Sequence, residues 1–170
     1  KDFRSRNNKI FEAPKWFKDW LPPSVALDGE LFLGRESFEK CGLFRRKVPN
    51  DDEWRHAQVK YQIFDAPSTP GVFEERQAFI QKLITEKCKC VKTGDKCPLV
   101  LTNQVKVKDE AHVMKIYGDL LKKGAEGVML RCPGSPYDAK RSSHLLKVKP
   151  HFDDECKIIG YKEGTGKYQG

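Results

Sequence analysis

Apolar residues alternate with polar ones from Val25 to Leu33, the two-residue period of a strand. Val25, Leu27, Leu31 and Leu33 share one face, and Asp28 and Glu30 share the other. Val59–Phe64 predicts a second strand, stopped by Asp65-Ala66-Pro67. The period then lengthens. Phe73–Lys87 is an amphipathic helix with Phe73, Phe79, Ile80, Leu83 and Ile84 near one face. A second helix starts at an Asp109 cap and places Val113, Ile116, Tyr117, Leu120 and Leu121 at helical spacing, with Gly124 just beyond its end. Shorter strands are expected at Leu99–Leu101, Gly127–Leu130, Leu145–Lys149 and Cys156–Tyr161, and a basic loop at Glu86–Pro98. The opening stretch, Lys1 to Pro23, reads as a strand and turn followed by a short helix around Trp16–Trp20. Strands and helices mix without strict βαβ alternation, so the class is α+β rather than a doubly wound sheet. Pro150–Asp154 marks a domain boundary, giving a first domain over 1–152 and the start of a second over 153–170.

Of 170 residues, 38% are hydrophobic, enough for a packed core and against a disordered chain. The net charge of +8 favours a polyanionic partner. No apolar run approaches the roughly 20 residues of a membrane span, so no membrane partner is expected. Cys88, Cys90 and Cys97 lack a fourth ligand at zinc spacing and read as reduced thiols on a Lys-rich loop of an intracellular protein.

Four segments carry candidate chemistry. In Leu145–Pro150, Lys147 and Lys149 are two apart and project from one strand face, which suits a phosphate; alone, they also fit a solvated strand. Glu126, at the start of a strand after a helix and a glycine, suits Mg²⁺, a hard ion that prefers oxygen ligands; alone, it also fits an ordinary surface glutamate. Asp28 and Glu30 suit acid–base work or hydrogen bonds to a ribose, and Asp-Gly-Glu equally forms a bulge or turn. Phe64, at the end of a strand, suits stacking on a base or a place in the core.

Taken together and in this order, Leu27-Asp-Gly-Glu-Leu31, Tyr61-Gln-Ile-Phe-Asp65, Glu126-Gly-Val-Met-Leu-Arg131 and Leu145-Leu-Lys-Val-Lys-Pro150 resemble the nucleotidyltransferase motifs of ATP-dependent DNA ligases. Ser5-Arg6-Asn7, Ala13-Pro14-Lys15-Trp16-Phe17, and the run through Tyr137, Arg141, Ser142 and Ser143 are similar to the small bacterial, viral and mitochondrial kinetoplastid members in particular. The resemblance implies an α+β nucleotidyltransferase fold, with ATP-grasp-like antiparallel sheets flanked by helices. It implies that the last residues open an OB-fold domain.

By the same resemblance, Glu30 binds the ribose, Phe64 stacks on adenine, Glu126 helps hold the metal, and Lys147 and Lys149 contact the nucleotide phosphates. Lys149 also assists lysine adenylation. Arg6 lies near the phosphate of AMP or of the nick. ATP and Mg²⁺ are the implied cofactors, nicked duplex DNA is the implied partner, and a monomer is expected. The family's nucleophile lies in Lys-x-Asp-Gly upstream of Ser-Arg-Asn. This sequence has no such run, since Lys1-Asp2-Phe3-Arg4 lacks the glycine, so the chain is expected to begin beyond the nucleophile and not to adenylate itself. RNA ligation, mRNA capping and a purely binding relative are the alternatives.

Overall fold

The computed structural model describes residues 2–35, 37–90 and 96–169. A hairpin of β1 (Phe3–Arg4) and β2 (Ile10–Phe11) leads into the short helix α1 (Lys15–Asp19). The strand β3 (Asp28–Phe32) follows, then a 3-10 helix (Phe38–Arg45) and α2 (Asp51–His56). Next come β4 (Lys60–Asp65), α3 (Phe73–Cys90), β5 (Leu99–Leu101) and α4 (Glu110–Leu121). A second hairpin, β6 (Val128–Arg131) with β7 (Leu145–Val148), completes the sheets.

The central sheet has the order β3-β4-β5. Leu27, Leu31 and Leu33 pack against the core, as the alternation predicts, alongside the buried Tyr61 and Ile63 of β4. Ile80 and Ile84 of α3 are buried in that core too. An aromatic row ties the N-terminal part to the sheet. Phe3 meets Tyr61 edge-on at 5.1 Å, Phe17 meets Trp54 at 5.0 Å, and Phe44 meets Trp54 at 5.4 Å. Such pairs contribute about 0.5–1.5 kcal/mol each beyond the area they bury.

The structure corrects four expectations. First, β4 and β5 are parallel, with Tyr61 opposite Leu99 and Ile63 opposite Leu101, so β4–α3–β5 is a βαβ crossover inside the α+β frame. A helix of 18 residues with a buried stripe carries the chain back to the start of the next strand, which a hairpin turn would not. Second, α3 runs on to Cys90 and brings Cys88 beside the chain entering β5. Cys88 and Cys97 lie 5.8 Å apart at Cα and are joined as a disulfide, not held as free thiols. The middle of the expected basic loop, residues 91–95, lies outside the described residues. Third, Cys156–Tyr161 forms no strand; Ile159 is 96% exposed and no neighbouring strand among the described residues offers it a ladder. Fourth, Lys149 falls one residue beyond β7 rather than within it.

The 3-10 helix and α2 carry no clear hydrophobic period in the sequence. α2 starts where the Asn50 side chain accepts from the Glu53 amide at 3.1 Å. Among the described residues, no helix is long and apolar enough to cross a membrane.

Candidate nucleotide site

The β3–β4 ladder slips at one point. Asp28 pairs with Asp65 but Gly29 pairs with Ile63, so Phe64 is the extra residue of a β-bulge. Tyr61, Ile63 and Asp65 face the core, and the half-buried Phe64 faces the other way. Glu30 stands opposite Gln62 on that same outer face and is exposed. Gly29 is required here, because a Cβ would collide with the Gln62 carbonyl and the Tyr61 ring. The bulge leaves the Phe64 carbonyl outside the ladder, and Gln77 of α3 donates to it at 2.7 Å.

Phe64 lines a cleft with Asp28, Arg131, Tyr137, Lys140 and Leu145. Its far wall is the β6–β7 hairpin, in which Met129 opposes Lys147 and Arg131 opposes Leu145. Strand periodicity puts Lys147 on the face of Leu145, the face that lines the cleft. Lys147 Nζ lies 3.3 Å from Glu126 Oε2, so two sequence candidates meet. Gly127 between Glu126 and β6 has φ +154°, and a Cβ there would collide with the Val148 carbonyl. That close approach keeps Glu126 beside β7.

The connection 132–144 spans from β6 to β7 and is pinned to the start of α3 and to β3 of the central sheet. Gly134 N donates to both Glu74 carboxylate oxygens at 3.1 Å, and Phe73 N donates to the Ser135 carbonyl at 3.0 Å. The Tyr137 hydroxyl donates to Asp28 at 2.8 Å. Burial first, and then that bond to a carboxylate, push the Tyr137 phenol up to about 12. Asp28 is thereby engaged as a hydrogen-bond acceptor. Nearby, Asp138 accepts from Ser142 at 2.6 Å and sits 2.8 Å from His144 Nδ1, which hold its carboxyl below the usual carboxylate range.

Beneath the cleft lies a fully buried ion pair. Arg76 Nε and Nη2 contact the two oxygens of Asp65 at 2.6 and 3.2 Å. Arg131 adds a third contact at 3.2 Å, and Arg76 Nη1 also donates to the carbonyls of Gly71 and Ser135. One carboxylate therefore ties β4, α3 and β6 together directly behind Phe64.

Phe64 and Asp28 thus border one cleft, and Lys147 pairs with Glu126 on the β6–β7 hairpin that forms its far wall. Lys149 is exposed beyond β7, and Arg6 is exposed between β1 and β2. Sequence reasoning missed Arg76, Gln77 and the tie made by Tyr137. A signal existed for Arg76. It stands three residues after Phe73 and four before Ile80, a charge inside the apolar stripe that demands a buried partner.

Phe64 and Glu30 lie on one sheet, and Lys147 lies on another with Glu126 beside it, an arrangement that fits a nucleotidyltransferase-like domain. The family model for the ATP dependent DNA ligase domain matches residues 2–149. A DNA ligase of Haemophilus influenzae is 30% identical over 169 residues, covering 99% of this chain and 59% of that protein. A DNA ligase of Archaeoglobus fulgidus is 27% identical over 172 residues, covering 94% of this chain and 29% of that protein. Among solved structures, a Lig E DNA ligase is similar with a TM-score of 0.80 and 27% identity, over 99% of this chain and 62% of that one. The Chlorella virus DNA ligase-adenylate shares the fold, with a TM-score of 0.62 and 22% identity, over 79% of this chain and 49% of that one. The chain belongs to the ATP-dependent DNA ligase family. It spans less than two thirds of the length of these relatives.

Proposed function

We propose that this chain is the nucleotide-binding part of an enzyme that seals nicks in duplex DNA with ATP. The observation that carries the reading is the position of Phe64. Strand alternation turns its ring away from the core and into a cleft whose opposite wall is Arg131 and Leu145 of the β6–β7 hairpin. In this reading the adenine stacks on Phe64 and Glu30 accepts from the ribose hydroxyls. Lys147 and Lys149 neutralise the phosphates, and Arg6 meets the phosphate of AMP or of the nick. Phosphoryl-type transfer depends chiefly on positioning and on neutralising spread negative charge, which these cations supply.

The whole enzyme would pass AMP from ATP to a lysine, then to a DNA 5′-phosphate. A 3′-hydroxyl would then displace AMP as the strand closes. Glu126 fits a Mg²⁺ site: it is one exposed carboxylate, and Mg²⁺ is usually held by one or two carboxylates together with water and substrate phosphates. When bound, the ion would add positive charge at the phosphates. Residues 153–170 are read as the opening of an OB-fold domain, and the working protein as a monomer inside the cell. The relatives in Haemophilus influenzae and Archaeoglobus fulgidus are DNA ligases, which favours DNA joining over the RNA-ligase, mRNA-capping and purely binding alternatives.

Binding of a fluorescent ATP analogue tests the reading. A stacked base is worth about 1–3 kcal/mol, so Phe64→Ala is expected to weaken binding about tenfold or more. The melting temperature should change little, because the ring lies off the core. Unchanged binding, or a collapse in stability, would overturn the assignment.

A further inference from the structure

A second groove, of about 650 Å³, runs between the β1–β2 hairpin and the 3-10 helix that ends at Arg45. Lys9, Arg45, Arg46 and Lys47 line it, together with Ser5 and Asn7. Both banks are set on the core. Phe3 of the hairpin packs on Tyr61, and Phe44 of the helix packs on Trp54. The groove is therefore part of the fold rather than a gap between loose loops.

Its charge is largely unspent. Arg46 pairs with Glu53 at 2.8 Å, but the side chains of Lys9, Arg45 and Lys47 have no ion-pair partner among the described residues. The carboxylate in the lining, Glu12, faces Lys18 at 3.4 Å. Arg45-Arg46-Lys47 is also the longest unbroken basic run in the sequence. Three uncompensated cations, spread along an open groove with an amide and a hydroxyl between them, suit a chain of phosphates better than one small anion.

We propose that this groove carries the phosphodiester backbone of a DNA strand leading away from the nick. The proposal rests on the ligase reading for the identity of the strand, since Arg6, which that reading places at the reacting phosphate, lies between Ser5 and Asn7 of the lining. The contact is to backbone alone, so it is independent of base sequence.

The test is the salt dependence of binding to a labelled nicked duplex, measured on this chain by fluorescence anisotropy, starting from low salt. Each lost phosphate contact lowers the slope of log affinity against log salt by about 0.9. The triple variant Lys9→Ala/Arg45→Ala/Lys47→Ala is expected to reduce that slope by about 2–3 and to weaken low-salt binding. A control triple of equal charge change, Lys115→Ala/Lys122→Ala/Lys123→Ala, should keep most of the slope. Both should melt at the unsubstituted temperature and bind the fluorescent ATP analogue normally. The inference is overturned if the groove triple keeps the original slope, or if the control lowers it equally. Failure of the ligase reading shows separately, as nucleotide binding that is absent or indifferent to Phe64→Ala.

Discussion

Removing Arg76 tests whether the buried ion cluster holds the cleft together. Asp65 and Arg76 are both wholly buried, and their contacts run to 2.6 and 3.2 Å. Taking one partner from such a pair costs about 3–5 kcal/mol, because the other charge is left without compensation. Here Asp65 keeps Arg131 at 3.2 Å and the Ala66 amide at 2.9 Å, which points to the lower end, near 3 kcal/mol. The carbonyl of Gly71 loses its donor, whereas that of Ser135 keeps Phe73 N. Arg76→Met preserves length without charge. In a domain of this size each kcal/mol moves the melting temperature by roughly 2–4 °C, so a fall of roughly 6–12 °C is expected. Urea unfolding followed by tryptophan fluorescence gives the free energy directly. Asp65→Asn/Arg76→Met removes both charges, and its cost should fall well short of the sum of the two single costs. A loss below about 1 kcal/mol in Arg76→Met, or additive single effects, would refute the argument that these charges depend on each other.

Other outcomes follow from the same geometry. Gln77→Leu removes the donor to the Phe64 carbonyl, and is expected to weaken ATP-analogue binding several-fold while leaving the melting temperature within a few degrees; unchanged binding would detach Gln77 from the site. Reduction of the Cys88–Cys97 link, whose cysteines are 9 residues apart, should cost about 2–3 kcal/mol by chain entropy; alkylation of these two cysteines only after reduction, seen by mass spectrometry, is the confirming observation, and their alkylation before reduction would sink it. Because the folded Asp138 carboxyl is held below its usual range, the stability it adds is present above the ordinary carboxylate pKa and lost as pH falls through the depressed value. A carbon-detected NMR titration that places its midpoint at or above the ordinary value would contradict this. Tyr137, raised to about 12, contributes below the ordinary phenol pKa and loses that contribution as pH climbs through 12; ultraviolet titration of Tyr137→Phe against the unsubstituted chain should remove one late-ionising tyrosine.

The elements with a clean period are legible in the sequence. Leu99–Leu101 and the Asp109 cap appear at the residues the pattern names. Phe64 and Glu30 could be named from motif resemblance, and the outward face of Glu30 follows from the two-residue period. The outward face of Phe64 follows from the same period, but the bulge beside it could not be read, since it depends on how two strands far apart in the chain align. Parallel pairing of β5 escaped for a similar reason: direction is set by where α3 packs, and three apolar residues fit either direction. The strand expected at Cys156–Tyr161 shows the converse, because an apolar run specifies a strand only when another strand is there to receive it. The disulfide required knowing that α3 extends past Lys87, and a helix end is the least determined part of a periodic signal.

The central sheet and the β6–β7 hairpin are separate sheets with no ladder between them among the described residues, and the cleft lies across that seam. Side chains, among them Arg131 on Asp65, and the 132–144 connection bridge it, and no backbone ladder has to break for the two sheets to separate. A ligand that touches both walls binds only the closed arrangement and must therefore favour it by mass action. Amide hydrogen exchange would register this as slower exchange along 132–144 in the presence of nucleotide, while the β4–β5 ladder exchanges as it does without it. If the cleft takes the proposed nucleotide, a substitution at Glu74, which holds the 132–144 connection from outside the cleft lining, would change affinity through the population of the closed arrangement.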